Sequence, residues 1–118
     1  MDGIRMLVCG GRDYADKDTV FLELDAILAD NVIDCVMQGA ATGADHLARL
    51  WCLSREVDCL NFKADWDRDK KAAGPIRNQR MIDEGKPNLV VAFPGGRGTT
   101  DMVSRAKKAR IQVIQAGL

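Results

Sequence analysis

The stretch PNLVVAFPGGRGTTDMVSRAKKARI, residues 87–111, decides the fold. Its first part, residues 87–94, is a continuous apolar run that predicts a strand buried on both faces, as in a parallel sheet. Residues 99–111 predict a helix whose basic residues lie near its C-terminal end, where they suit the helix dipole. The glycine-rich turn between them, residues 95–98, indicates a strand-turn-helix unit of an α/β domain.

The rest of the chain repeats this alternation of short apolar runs and amphipathic segments. Predicted strands cover residues 4–10, 32–39, 58–64, 87–94 and 112–116, and predicted helices cover 16–31, 43–57, 74–85 and 99–111. The order predicts one Rossmann-like domain over residues 1–118, a five-stranded parallel sheet between two helix layers. The third strand is the most polar and suits an edge. Residues 65–74 are predicted to be an irregular loop.

Composition narrows the class of protein. The 118 residues carry 17 basic and 17 acidic side chains, and this zero net charge disfavours duplex DNA as a partner. No segment is apolar and long enough for a membrane span, and no secretion signal is evident, so we expect a cytoplasmic protein. The four cysteines form no C-x-x-C pair, and with one histidine they predict reduced thiols, no metal site and no cofactor.

Three glycine-rich turns, residues 10–13, 39–45 and 95–100, each follow a predicted strand and precede a helix. In a parallel sheet such turns share the carboxyl edge, where ligands bind. Glycine lets a phosphate approach the backbone, and the following helix presents free N–H groups. A glycine turn can also be only a tight connection, but three on one edge favour an anion site. The predicted ligand-binding residues are Gly10, Gly11, Arg12, Gly39, Thr42, Gly43, Asp45, Gly95, Gly96, Arg97, Gly98, Thr99 and Thr100.

Two common nucleotide-binding signatures are absent. The sequence has no G-x-x-x-x-G-K-[ST], which argues against a P-loop ATPase. The turn after the first strand is not G-x-G-x-x-G, which disfavours an ordinary NAD dehydrogenase.

Four motifs resemble one known superfamily when taken together. They are VCGGRDY (8–14), GAATGADHLA (39–48), ADWDRDKKAAGPIRNQRM (64–81) and PNLVVAFPGGRGTTDMV (87–103). In this order they resemble the SLOG superfamily of Rossmann-like domains, and within it the small YspA or YpsA-related branch found in bacteria and phages. The superfamily includes LOG-type phosphoribohydrolases and the DNA-processing protein DprA. The resemblance implies strand order 3-2-1-4-5, dimerisation through helices and a nucleotide-like ligand.

The LOG enzymes carry P-G-G-x-G-T-x-x-E and an upstream arginine. Residues 94–96, 98 and 99 match this motif, and Arg77 matches the arginine. The position of the motif glutamate holds Met102, and the carboxylate lies one residue earlier, at Asp101. The resemblance implies Arg77 as a residue that orients the substrate, and the candidate catalytic residues are Arg77 and Asp101, with Asp45 as the alternative carboxylate. Asn78 either hydrogen-bonds a ribose hydroxyl of the ligand or fixes the loop above it.

Three functions follow from these observations. The first is a module that binds a nucleotide or nucleotide-derived molecule, as a sensor or a sequestering protein. The second is a nucleotide N-glycosidase that acts on nucleoside 5′-monophosphates, and the third is a DprA-like accessory protein for single-stranded DNA. Trp66 either stacks on a base or anchors its loop to the core.

Overall fold

The computed structural model describes residues 3–117. The strands are β1 (Ile4–Cys9), β2 (Ile33–Gln38), β3 (Cys59–Asn61), β4 (Leu89–Ala92) and β5 (Gln112–Gln115). The helices are α1 (Lys17–Asp30), α2 (Ala44–Arg55), α3 (Trp66–Asp69), α4 (Ala73–Gly85) and α5 (Arg97–Lys108). All paired strands are parallel, in the order β3-β2-β1-β4-β5. The predicted five-stranded sheet, its order and the edge position of the third strand are confirmed.

The central strand β1 shows why helices cover both faces of the sheet. Met6, Leu7 and Val8 are fully buried, and successive side chains of a strand point to opposite faces. Met6 and Val8 pack in a cluster with residues of α1 and α2, whereas Leu7 packs in a second cluster with residues of α4 and α5. Two apolar clusters on a single sheet give the predicted three-layer α/β architecture.

Residues 65–74 are not the irregular loop that their polar composition predicts. They contain α3, a 3₁₀ turn over Lys70–Ala72 and the start of α4. The Asp65 carboxylate caps α3 by accepting a hydrogen bond from the backbone N–H of Arg68 at 3.1 Å. A capped four-residue helix buries none of its residues, so it leaves no apolar periodicity to detect.

Helix α5 begins two residues earlier than predicted. Its first residue is Arg97, and the backbone N–H of Thr100 already donates to the carbonyl of Gly96 at 3.0 Å. Gly98 and Thr99 therefore lie in the first turn of the helix, where N–H groups have no partner inside the helix. None of the helices within residues 3–117 is both long and apolar enough to cross a membrane.

Candidate functional site

A cavity of about 1010 Å³ opens at the carboxyl edge of the sheet, above β1 and β4. These neighbouring strands lead to helices on opposite faces, so the cavity lies at the switch point where α/β sheets bind ligands. Its wall is formed by the turn after β1 (residues 10–14), the turn after β4 (residues 94–99 and Asp101), Ala41 and Asp45, and residues 66, 71, 74, 75, 77, 78 and 81 of the α3–α4 region.

The first and third glycine turns are in direct contact. The backbone N–H of Gly11 donates to the carbonyl of Pro94 at 2.9 Å, which continues the β1–β4 pairing beyond the strands. A methyl group on Gly95 would lie 2.6 Å from the backbone nitrogen of Gly11, so this approach requires glycine. The two turns therefore form one continuous backbone surface around the cavity.

The turn after β4 presents a run of free backbone donors. No residue within 3–117 accepts a hydrogen bond from the backbone N–H groups of residues 95–99. All five residues line the cavity, and the last three form the first turn of α5. Unpaired N–H groups and the positive end of a helix dipole favour a bound anion.

The second glycine turn lines the cavity only through Ala41 and Asp45, and its other contacts support the first turn. The Thr42 hydroxyl donates to the carbonyl of Arg12 at 3.0 Å, and the backbone N–H of Ala44 donates to the carbonyl of Gly11 at 3.1 Å. Gly43 has a φ of 75° and lies against the backbone of both residues. Thr42 and Gly43, predicted as ligand contacts, thus lie behind the first turn. Gly39 and Thr100 are also absent from the cavity wall as the structure describes it, and the Thr100 hydroxyl donates to the Gly96 carbonyl at 3.1 Å.

Two buried charged side chains lie at the inner wall of the cavity. Arg77 is 9% exposed and Asp45 is 7% exposed. The Arg77 guanidinium donates from Nη1 to the carbonyl of Gly39 and from Nε to Oδ1 of Asn78, the latter at 3.1 Å. Burial lowers the pKa of Arg77 and raises the pKa of Asp45. The opposite charge of each side chain stabilises the charged form of the other but does not outweigh burial. An anion beside Arg77 would compensate part of its lost hydration.

Asp101 is held by two hydrogen bonds. Its Oδ2 accepts from Arg105 Nε at 2.8 Å and from Asn78 Nδ2 at 2.9 Å, and the same Asn78 amide donates to the carbonyl of Gly98 at 3.2 Å. Partial burial alone would raise the pKa of Asp101, but the two hydrogen bonds outweigh it and lower the pKa. Met102 is 1% exposed in the apolar cluster beneath α5. Met102, at the position of the LOG glutamate, therefore lies in the core. Asp101 on α5 is hydrogen-bonded to Asn78 on α4 and so links the two helices at the edge of the cavity.

Comparison with known proteins agrees with the fold and the motifs. The model of the YspA, cpYpsA-related SLOG family matches residues 4–68. Gene 61 protein of Mycobacterium phage D29 is 35% identical over 121 residues, an alignment that covers 96% of each chain. The chain belongs to the YspA, cpYpsA-related SLOG family. No solved structure matches significantly. The SLOG match includes the first two glycine turns, whereas Arg77 and the turn after β4 lie beyond the matched residues.

Trp66 lines the cavity, and base stacking by this residue stays a prediction. Its side chain is 47% exposed, and the Arg12 guanidinium lies 5.1 Å from the centre of its ring. Gly74 on α4 lies under the indole, since a methyl group there would be 3.6 Å from Trp66 Cη2. The indole lines the cavity together with Tyr14 and Pro75, which the sequence did not indicate as site residues. They add an aromatic and apolar part to a wall that also carries backbone donors.

The described part of the site offers no ready set of metal ligands. Within residues 3–117, no three histidine, cysteine or acidic side chains come together as a possible metal site. Cys9 lines the cavity, and burial raises its pKa to about 12, so its thiol stays protonated at neutral pH.

Proposed function

We propose that the protein binds a nucleotide or a nucleotide-derived molecule in the cavity above β1 and β4, with a phosphate group on the turn after β4. The observation that carries the proposal is the run of free backbone N–H groups at residues 95–99, which line the same cavity as the Arg77 guanidinium. Membership of the SLOG family agrees with a nucleotide-related role.

The phosphate end of the ligand would lie at the N-terminus of α5. Backbone N–H groups and the helix dipole favour an anion there, and guanidinium groups suit phosphate oxygens. Besides Arg77, the cationic side chains of Arg12, Lys71 and Arg97 line the cavity. Of the cavity carboxylates, Asp101 already has Arg105 as its ion-pair partner at 2.8 Å. The charge balance of the wall therefore favours a negatively charged ligand.

The base would lie against Trp66. The indole is half-exposed and the Arg12 guanidinium lies over its ring, so a base that stacks on this face would take the place of the guanidinium. Stacking of a base on an aromatic side chain contributes about 1–3 kcal/mol. A cavity that has both free backbone donors and an indole on its wall matches a molecule with a phosphate and an aromatic base.

Hydrolysis of an N-glycosidic bond is the second candidate function, and Asp45 favours it. Asp45 lies on the cavity wall, and burial raises the pKa of its carboxyl above the ordinary value. A carboxyl group with a raised pKa can exchange a proton during catalysis. Asp101, by contrast, is ionised and held by Arg105 and Asn78, which suits a positioning role.

Calorimetric titration with adenosine, AMP, ADP and cyclic AMP tests the proposed binding. We expect the phosphorylated compounds to bind and adenosine to bind much more weakly. Removal of a hydrogen bond to a charged group costs about 1.5–3 kcal/mol, so Arg77→Gln should weaken binding roughly tenfold or more. Arg110→Gln is the matched control, because Arg110 is exposed and lies outside the cavity wall.

The outcome also separates the two candidate functions. Chromatography of the same mixtures shows whether free base appears. Binding without base release supports the binding module, and base release that stops in Asp45→Asn supports the glycosidase. Binding that is equal for adenosine and AMP, or unaffected by Arg77→Gln in a variant that remains folded by circular dichroism, contradicts both.

A further inference from the structure

A second, smaller pocket lies beside the ends of β2 and β3. Its volume is about 290 Å³. Basic and amide side chains dominate its wall: His46 and Arg49 from α2, Lys63 from the segment after β3, and Gln38 and Asn61 from the strand ends. No carboxylate contributes to this wall among the residues that the structure describes.

The floor of the pocket is held in place by Gln38. This side chain is 1% exposed, and both ends of its amide are bonded. Oε1 accepts from the backbone N–H of Ala40 at 2.5 Å, and Nε2 donates to Oδ1 of Asn61. Ala40 has a φ of 58°, a left-handed conformation that is uncommon for a residue other than glycine. Backbone strain of this kind persists where surrounding bonds impose it, so the Gln38 amide holds the turn at Ala40 in this conformation.

Two cations at the mouth have no acidic partner. Neither Arg49 nor Lys63 forms an ion pair within residues 3–117. The backbone of Lys63 is fixed on both sides, because its carbonyl accepts from Arg80 Nη2 at 3.3 Å and the preceding Phe62 N–H donates to the Gln38 carbonyl at 2.9 Å. Two positive groups without an acidic partner, beside the amide groups of Gln38 and Asn61, suit a small oxyanion.

We propose that this pocket is a second anion site, which binds a phosphate group between Arg49 and Lys63. The inference does not depend on a nucleotide in the main cavity. Ala41 borders both cavities, so the two sites are neighbours that share one turn of backbone.

The chain carries a separate reporter for each cavity. His46 is the only histidine of the sequence, so its imidazole C–H signals in an NMR spectrum need no assignment. Trp66 lines the main cavity, and the other tryptophan, Trp51, is fully buried with its indole N–H bonded to Asp25 at 2.8 Å. Titration with inorganic phosphate at constant pH, against sodium chloride at matched ionic strength, follows both reporters at once.

We expect the His46 signals to shift and saturate with phosphate but not with chloride. The double variant Arg49→Gln/Lys63→Gln should weaken this response roughly tenfold or more and leave the Trp66 signal as it was. Lys107→Gln/Arg110→Gln removes two positive charges from exposed positions outside both pockets and should change neither response.

Three results would overturn the proposal. They are a His46 shift that grows linearly without saturation, an equal shift with acetate at the same concentration, and a saturating shift that survives the double substitution. If AMP does not change the Trp66 signal, this result contradicts the proposed nucleotide site and leaves the second anion site unaffected. The two proposals therefore fail by different signals.

Discussion

Arg77 on α4 donates a hydrogen bond from Nη1 to the carbonyl of Gly39, at the end of β2. The same glycine faces the Asp45 carboxylate. A methyl group on Gly39 would lie 2.5 Å from Arg77 Nη1 and 3.0 Å from Asp45 Oδ2. Position 39 thus requires glycine, because a larger residue would occupy the space that the two charged side chains fill. Gly39 itself lies outside the cavity that these side chains line.

We expect Gly39→Ala to destabilise the protein by about 1–3 kcal/mol, the usual cost of overpacking, because Arg77 must move. Urea unfolding of the wild type, Gly39→Ala, Arg77→Ala and the double variant tests the cause. If Arg77 is the obstacle, Gly39→Ala costs clearly less in the Arg77→Ala background. Equal costs in both backgrounds would contradict this explanation.

Gly95→Ala should destabilise the protein for a different reason. Its methyl group would lie 2.6 Å from the backbone nitrogen of Gly11 and would overlap the Thr99 hydroxyl. Backbone cannot move aside as a side-chain end can, so the contact between the first and third glycine turns must open. We expect a loss of about 1–3 kcal/mol by urea unfolding, together with loss of the Gly11 amide from the slowly exchanging set. An unchanged midpoint and unchanged exchange would show that the two turns are not rigidly joined.

The sequence predicts the sheet well because its signals are local. Each strand is a short apolar run, and each run is followed by a turn and an amphipathic helix, so element type and order follow from periodicity. The strand order came from the family resemblance. The predicted ligand contacts at residues 10–12 and 95–99, with Asp45 and Arg77, do lie around one cavity.

The positions of the predicted residues that lie outside the cavity wall depend on contacts across the fold. Thr42 and Gly43 lie in a glycine-rich turn like the other two, yet they support the backbone of Arg12, 30 residues earlier in the chain. No local pattern separates a turn that faces a ligand from one that supports it. Trp66 became a wall of the cavity because α3 packs over Gly74, a contact that the polar composition of this segment concealed.

The raised pKa of Asp45 predicts a pH dependence of stability. Burial raises this pKa in the folded chain, whereas an unfolded aspartate releases its proton near pH 4. Between that pH and the higher folded pKa, the folded state binds more protons at this position, so its contribution to stability falls as pH rises. Asp45→Asn removes this loss. We expect the stability of the variant relative to the wild type to increase with pH through this window and then level off.

Asp25 provides a control for which the pH dependence of stability has the opposite sign. Hydrogen bonds from Arg55 and from the Trp51 indole lower its pKa. Its contribution to stability is present above the unfolded pKa and is lost as pH falls through the folded pKa. Asp25→Asn should therefore lose stability relative to the wild type as pH rises from 3 to about 5. Urea unfolding of the wild type and the two variants between pH 3 and about 8 checks the direction of both pH dependences. If the difference in unfolding free energy between Asp45→Asn and the wild type does not change with pH, the pKa of Asp45 is not raised by burial.

Gly98→Ala should separate stability from binding. Gly98 lies in the first turn of α5, its φ is outside the left-handed region, and a methyl group there meets no atom within 4 Å. Because alanine is the better helix former, we expect the variant to gain about 0.5–1 kcal/mol of unfolding free energy. The same methyl group would stand on the cavity wall beside the free N–H groups, so AMP should bind more weakly although the protein is more stable. Urea unfolding and calorimetric titration of one preparation measure both effects. A variant that gains stability and still binds AMP as tightly as the wild type would show that phosphate does not approach the backbone at this turn.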